Sequence, residues 1–184
     1  MRRATVRGLL VGRFQPFHSG HLGVVRANRA ERPDDALLLG IGSAQESYTW
    51  ENPFTAGERF EMIARAVEDA GLERIEIVPI ADIHQHALWV RHLEGLLPPL
   101  DRVYTNNALT ALLFERAGYE VARPALRNRA RFEGRQIRAR LASGRGWKEL
   151  VPRPVARYLE TIDAPARLAL LAPELGRRTG GPRR

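Results

Sequence analysis

The sequence contains no cysteine. Disulfide frameworks, thiolate nucleophiles and cysteine-ligated zinc or iron–sulfur centres are therefore excluded. No apolar run approaches the roughly 18 residues of a membrane-spanning helix, and the apolar stretch at 8–12 is too short for a signal-peptide core. No membrane association is expected, and the expected location is the cytoplasm. The P-loop pattern GxxxxGK[ST] is missing, which excludes a P-loop NTPase. Gly40-Ile41-Gly42-Ser43-Ala44-Gln45 approaches a dinucleotide fingerprint but has glutamine where the third glycine belongs. Lysine is nearly absent too: Lys148 is the only one.

Arginine supplies the rest of the 29 basic residues, against 21 acidic ones, for a formal charge of +8. Arginine's planar fork matches phosphate bidentately, so the balance favours anionic partners. A genome of biased base composition would give the same excess with no partner at all. Eight arginines fall between Arg123 and Arg145, opposed only by Glu133. A nucleic-acid-binding module would use such a cluster, but few aromatics interleave with it, and nucleic acid is not the expected partner.

The apolar runs at 6–11 and 36–41, the alternating run at 75–80 and a short run at 102–105 read as strands. Helices are expected after residue 21, at 88–97 and at 108–117, the last closed by Gly118. The clearest is announced by a capping box, Thr55 with Glu58; Phe60, Ile63, Val67 and Ala70 form its apolar stripe and Gly71 its stop. Alternating strands and helices predict an α/β fold, a Rossmann-like parallel sheet flanked by helices, with ligands beyond the strands' carboxyl ends. Three short helical stretches after Val121 form a small C-terminal helical cap. The reading is one domain over 1–172, with a core at 1–122 and a helical segment at 123–172, then a flexible basic tail at 173–184.

Directly after the first strand stands Gly12-Arg13-Phe14-Gln15-Pro16-Phe17-His18-Ser19-Gly20-His21. An HxGH at the mouth of a helix offers imidazole donors, unpaired backbone N–H groups and the positive end of the helix dipole; Gly20 would let phosphate oxygens approach the backbone. The same two histidines could be packing residues or metal ligands. The strand-to-helix context favours an anion site.

This loop, with 40–60 (GIGSAQESYTWENPFTAGERF), 88–90 (LWV), 98–109 (PPLDRVYTNNAL), 118–124 (GYEVARP) and 134–138 (GRQIR), resembles the archaeal-type nicotinamide mononucleotide (NMN) adenylyltransferases over residues 7–171. The resemblance implies transfer of AMP from ATP to NMN with release of pyrophosphate. Mg²⁺ would be bound mainly through the nucleotide phosphates, with no metal-binding side chains, and the chain would form a homo-oligomer. His18, His21, Arg13 and Arg138 become the catalytic candidates. Gly12, Phe14, Gly20, Asn106, Arg129 and Arg135 are candidates for holding the nucleotide. Trp89 would stack on the pyridine ring, with Asp82, His86 and Ser43 around the acceptor; helical spacing alone would equally make Trp89 a core residue.

Two departures stand out. Where the family carries SGTxxR, this chain has Glu133-Gly134-Arg135-Gln136-Ile137-Arg138, with arginine in place of a hydroxyl. Before Trp89, His84 and His86 replace the usual glutamate and asparagine, and Asp82 either orients a ligand hydroxyl or caps the following helix. These differences leave open a cytidylyl- or adenylyltransferase acting on another phosphate or phosphonate.

Overall fold

The computed structural model describes residues 6–125 and 132–173. Arg129 and the tail beyond Pro173 lie outside the described residues, as do Arg127 and Arg131 of the arginine cluster.

Five strands, β1 (Arg7–Gly12), β2 (Ala36–Ile41), β3 (Ile75–Pro79), β4 (Arg102–Tyr104) and β5 (Glu120–Ala122), form one sheet in the order β3-β2-β1-β4-β5. Every pairing is parallel. The order reverses between β1 and β4, and such a switch point opens a crevice at the carboxyl edge. β5 was not foreseen from the sequence. Three residues are too few to show a period; what holds the strand is its ladder to β4 and the Arg102–Glu120 ion pair across that register, at 2.6 Å.

Helices α1 (Ser19–Glu31) and α2 (Ala56–Asp69) lie on one face, α3 (His86–Leu96) and α4 (Ala108–Arg116) on the other. β2 shows why both faces are apolar: Leu37, Leu39 and Ile41 join the α1–α2 core while Leu38, with Leu9 and Val103, joins the α3–α4 core. All six residues of β2 are buried, as befits a parallel strand covered twice. The C-terminal helices α5 (Gly134–Ala142), α6 (Arg153–Thr161) and α7 (Ala164–Leu171) extend the α1–α2 core, α6 packing on α2 and α5 on α7.

The capping box of α2 forms as expected: Thr55 Oγ1 accepts from the Glu58 amide at 3.2 Å and Glu58 Oε2 from the Thr55 amide at 2.9 Å. Gly71, at φ +61°, follows the helix. The expected stripe is rotated, however. Phe60 is 38% exposed, and the buried positions are Arg59, Met62, Ile63, Ala66 and Val67. An arginine occupies the core face because its fork finds backbone carbonyls there.

Candidate active site

The β1–α1 loop is held by the histidines themselves. His18 is the N-cap of α1; its Nδ1 accepts from the His21 amide and His21 Nδ1 accepts from the His18 amide, both at 3.3 Å. This is a capping box built from two imidazoles, which stack with ring centroids 3.5 Å apart. Accepting at Nδ1 requires the ring proton to sit on Nε2, so each histidine keeps one outward donor. Neither Nε2 has a protein partner among the described residues.

Burial draws His18 down to about 4, against a weaker opposing pull from its backbone hydrogen bond. Burial, then the charge of His18, pulls His21 well below the ordinary histidine value. Both rings are neutral donors at physiological pH. His18 is 6% exposed and His21 partly exposed.

Phe14, expected to touch nucleotide, is instead 2% exposed. At φ +51° it turns its ring under Gly12 and edge-on to His21, 4.9 Å between centroids. Its side chain braces the histidine. Gly20 is closely packed on its Cβ side. A Cβ there would fall 2.8 Å from Phe132 Cβ and 3.1 Å from His18 Nδ1, so the missing side chain makes room for a packed neighbour.

Arg138 reaches the same loop from α5. It is 6% exposed, and its Nη1 donates to the Gln15 carbonyl at 3.2 Å while its buried Nε has no partner. Burial lowers its pKa most, followed by repulsion from Arg13; Glu51 and Glu133 counter in part and Arg135 adds to the repulsion. Guanidinium groups thus converge on one loop, an arrangement that an anion between them would stabilise. Arg135 is exposed on the first turn of α5, and Glu133 is exposed, accepting from Gln136 Nε2 at 3.0 Å.

Among the described residues, two cavities flank the loop. The first, about 330 Å³, opens over the carboxyl ends of β1 and β2 and is walled by α3 and α4; it is lined by Gly12, Arg13, Ser43, Asp82, His86 and Trp89, among others. Trp89 sits between the core and the cavity. It contacts Phe114 edge-on at 5.6 Å and also faces this cavity. Asp82 does not cap α3, whose N-cap is Gln85; Asp82 Oδ1 accepts from the His84 amide at 2.9 Å. His84 does not line the cavity. The second cavity, about 470 Å³, runs along α1 from Ser19 and Gly20 to Tyr104, Ala122 and Phe132.

Asn106 lines neither cavity: its Nδ2 donates to the Pro124 carbonyl at 2.8 Å, tying the ends of β4 and β5. Its neighbours Thr105 and Asn107 face the first cavity, Asn107 also capping α4 at the Thr110 amide. Arg59, Gln15, Gln45 and Asn107 were missed by sequence reasoning. The first three pair with backbone atoms on other loops, which no local pattern displays, whereas Asn107 pairs with the Thr110 amide three residues on.

Paired neutral donors at a helix N-terminus, flanked by converging arginines beyond a parallel sheet, define a nucleotidyltransferase type of site. Consistent with this, the cytidylyltransferase-like family matches residues 9–140. The chain is 46% identical to a nicotinamide-nucleotide adenylyltransferase of Picrophilus torridus over 89% of this chain and 95% of that one. It is 45% identical to one of Archaeoglobus fulgidus over 89% and 95%. The chain belongs to the nicotinamide-nucleotide adenylyltransferase family, a family of enzymes.

Among solved structures, it is similar to a bifunctional NMN adenylyltransferase/ADP ribose pyrophosphatase of Francisella tularensis complexed with AMP and a manganese ion. The TM-score is 0.72 and the identity 18%, over 91% of this chain and 52% of that one. This chain thus spans about half the length of that protein, and the likeness bears on the fold. Among the described residues no helix is long and apolar enough to cross a membrane.

Proposed function

We propose that this protein transfers AMP from ATP to NMN, forming NAD and pyrophosphate. The observation that carries the reading is the imidazole capping box, which leaves two neutral Nε2 donors beside Arg13 and Arg138. The two cavities fit a two-substrate reaction. The nucleoside of ATP takes the cavity along α1, the acceptor takes the one containing Trp89, and the phosphates cross the HxGH loop between them. Trp89 offers its ring to the pyridine.

A phosphate monoester is mostly dianionic at neutral pH, so the acceptor attacks without a general base. The chain's task is to align the reactants and neutralise charge on the α-phosphate and departing pyrophosphate. Arg13 serves the reacting centre, while His18, His21 and Arg138 hold the leaving phosphates. Among the described residues no three histidine, aspartate or glutamate side chains gather as metal ligands. Mg²⁺ would be held mainly by phosphate oxygens and water, where it would supply further charge neutralisation. We place the reaction in the cytoplasm, and assembly into a homo-oligomer follows from the family resemblance.

Purified protein incubated with ATP, NMN and Mg²⁺ is expected to yield NAD and pyrophosphate. No product above a His18→Ala control would defeat the assignment. A second reading, transfer of CMP or AMP to another phosphate or phosphonate, is favoured by His86 in the acceptor cavity and by the charged pair Glu133 and Arg135. A panel of nucleotides and acceptors separates the two; turnover with ATP and NMN at least equal to every other pair rejects the second. The nucleic-acid reading loses ground because three of the five described arginines of the cluster are engaged within the fold: Arg138 with Gln15, Arg140 with the Gly146 carbonyl, Arg123 with Glu115.

A further inference from the structure

The loops beyond β1, β2 and β3 would each carry backbone groups that regular structure leaves unpaired, and such groups need partners when buried. Side chains supply them. Gln15 pairs with Phe54 in both directions, Nε2 to the carbonyl and Oε1 from the amide, each at 3.0 Å. Gln45 does the same with Asp82, both at 2.9 Å.

Arg59, 0% exposed, holds more than either. Its Nη1 donates to the Arg13 carbonyl at 3.0 Å and the Gly42 carbonyl at 2.8 Å. Its Nη2 donates to the carbonyls of Ser43, Ala44 and Glu46 at 3.1, 3.5 and 3.4 Å, and its Nε to Thr55 at 3.2 Å. Six carbonyls from both loops thus meet one planar fork, and among the described residues no carboxylate forms an ion pair with it. A lysine would bring the charge but only three donors from a single nitrogen.

We infer that Arg59 is a positioning residue for the transfer reaction: it fixes the backbone of Arg13 against the end of β2, and so sets where the Arg13 side chain meets the phosphates. Nothing requires Arg59 to touch substrate. The bond to the Arg13 carbonyl welds the start of the β1–α1 loop to Gly42, while Ser43, at φ +47°, is kept in a left-handed turn beside the acceptor cavity. Its charge, repelled by that of Arg13, also adds to the cationic character of the loop. The inference rests on the reading above that Arg13 contacts phosphate.

The test is a double-mutant cycle read by calorimetric titration of ATP with Mg²⁺ into wild type, Arg13→Ala, Arg59→Lys and the double variant. Thermal melting first establishes that each is folded at the titration temperature. Arg59→Lys and Arg13→Ala are each expected to weaken ATP roughly tenfold, and the double variant to be no more than about twofold worse than either. Unchanged affinity in Arg59→Lys, or losses that multiply in the double variant, would overturn the inference. A wild-type protein that does not bind ATP defeats the functional reading itself, before any variant is considered. Should Arg59→Lys melt too low, Arg59→Ala titrated in dilute guanidinium chloride replaces it. Recovery of affinity that disappears in an Arg13→Ala background supports the inference, and recovery regardless of Arg13 overturns it.

Discussion

Arg167 on α7 meets Glu58 on the first turn of α2 through two parallel hydrogen bonds, Nη1 to Oε2 and Nη2 to Oε1, both 2.7 Å. The pair is mostly buried, with side-chain exposures of 17% and 15%. Because Glu58 also completes the Thr55 capping box, the C-terminal helices are fastened to the segment that carries Arg59. The same guanidinium lies 5.0 Å from the Tyr48 ring centroid and donates to the Pro53 carbonyl at 3.3 Å.

Removing one partner strands the other in a poorly hydrated position. Arg167→Met is expected to lower stability by about 2–3 kcal/mol, as denaturant melts would show. Against the opposing effect of burial, Arg167 and Thr55 lower the Glu58 pKa below its ordinary value. The stabilisation is therefore complete above the unfolded-state value, roughly 4.3, and is lost as pH falls through the lower folded-state value. Melting temperatures of wild type and Arg167→Met should differ most at neutral pH and converge toward strong acid.

His18 and His21 titrate with the opposite charge change but in the same sense for stability. Their neutral forms are native, while the unfolded chain takes up protons near ~6.5. Stability is thus expected to fall as pH drops from about 6.5 toward 4, the window bounded by the folded-state value of His18. Ring resonances of both residues should show no titration step between pH 5.5 and 8 in the free protein, as NMR can follow. A step near 6.5 would mean that the rings are hydrated and the cap open.

His18→Ala removes both an outward donor and half of the cap. Turnover should fall by about 10²–10³-fold, as for loss of a donor to developing charge. His18→Asn, with an amide oxygen that can accept the His21 amide, should recover helix stability more than activity. Melting curves set beside kcat separate the two roles.

Gly20→Ala adds a methyl against Phe132 Cβ, an atom fixed to the backbone and unable to swing aside. A loss of about 1–3 kcal/mol in stability is expected from the overpacking, with weaker ATP binding as the segment bearing Phe132 is pushed from the loop. Equal stability and affinity in the variant would show that the contact is slack.

Trp89→Phe should raise KM for the pyridine nucleotide several-fold while leaving ATP affinity within about twofold, since the smaller ring keeps the edge contact with Phe114 but offers less surface to stack on. An equal loss for both substrates would place the tryptophan in the core alone.

What the sequence displayed was whatever local chemistry determines. The capping box of α2, the doubly covered β2 and the loop with His18 and His21 can each be read from neighbouring residues. Arg59 could not, since Phe60 fits the apolar period better, and only the arrival of two distant loops makes an arginine the better core residue. Phe14 was credited with contact to nucleotide because a motif names residues without saying which face they turn. Asn106 and Asn107 show the limit at its narrowest. Adjacent and identical, they serve a neighbouring strand end and the cavity respectively.

The walls of the acceptor cavity are unequally held. Gln45 and Arg59 lash the side formed by the β2–α2 loop to its surroundings, whereas α3 begins at Gln85 without a side-chain cap and exposes His86. Substitutions on the lashed side disturb several backbone bonds at once, and those in the opening turn of α3 disturb none. On the proposed reading, the start of that helix is where exchanging one side chain would alter what the cavity recognises and leave the phosphate machinery standing.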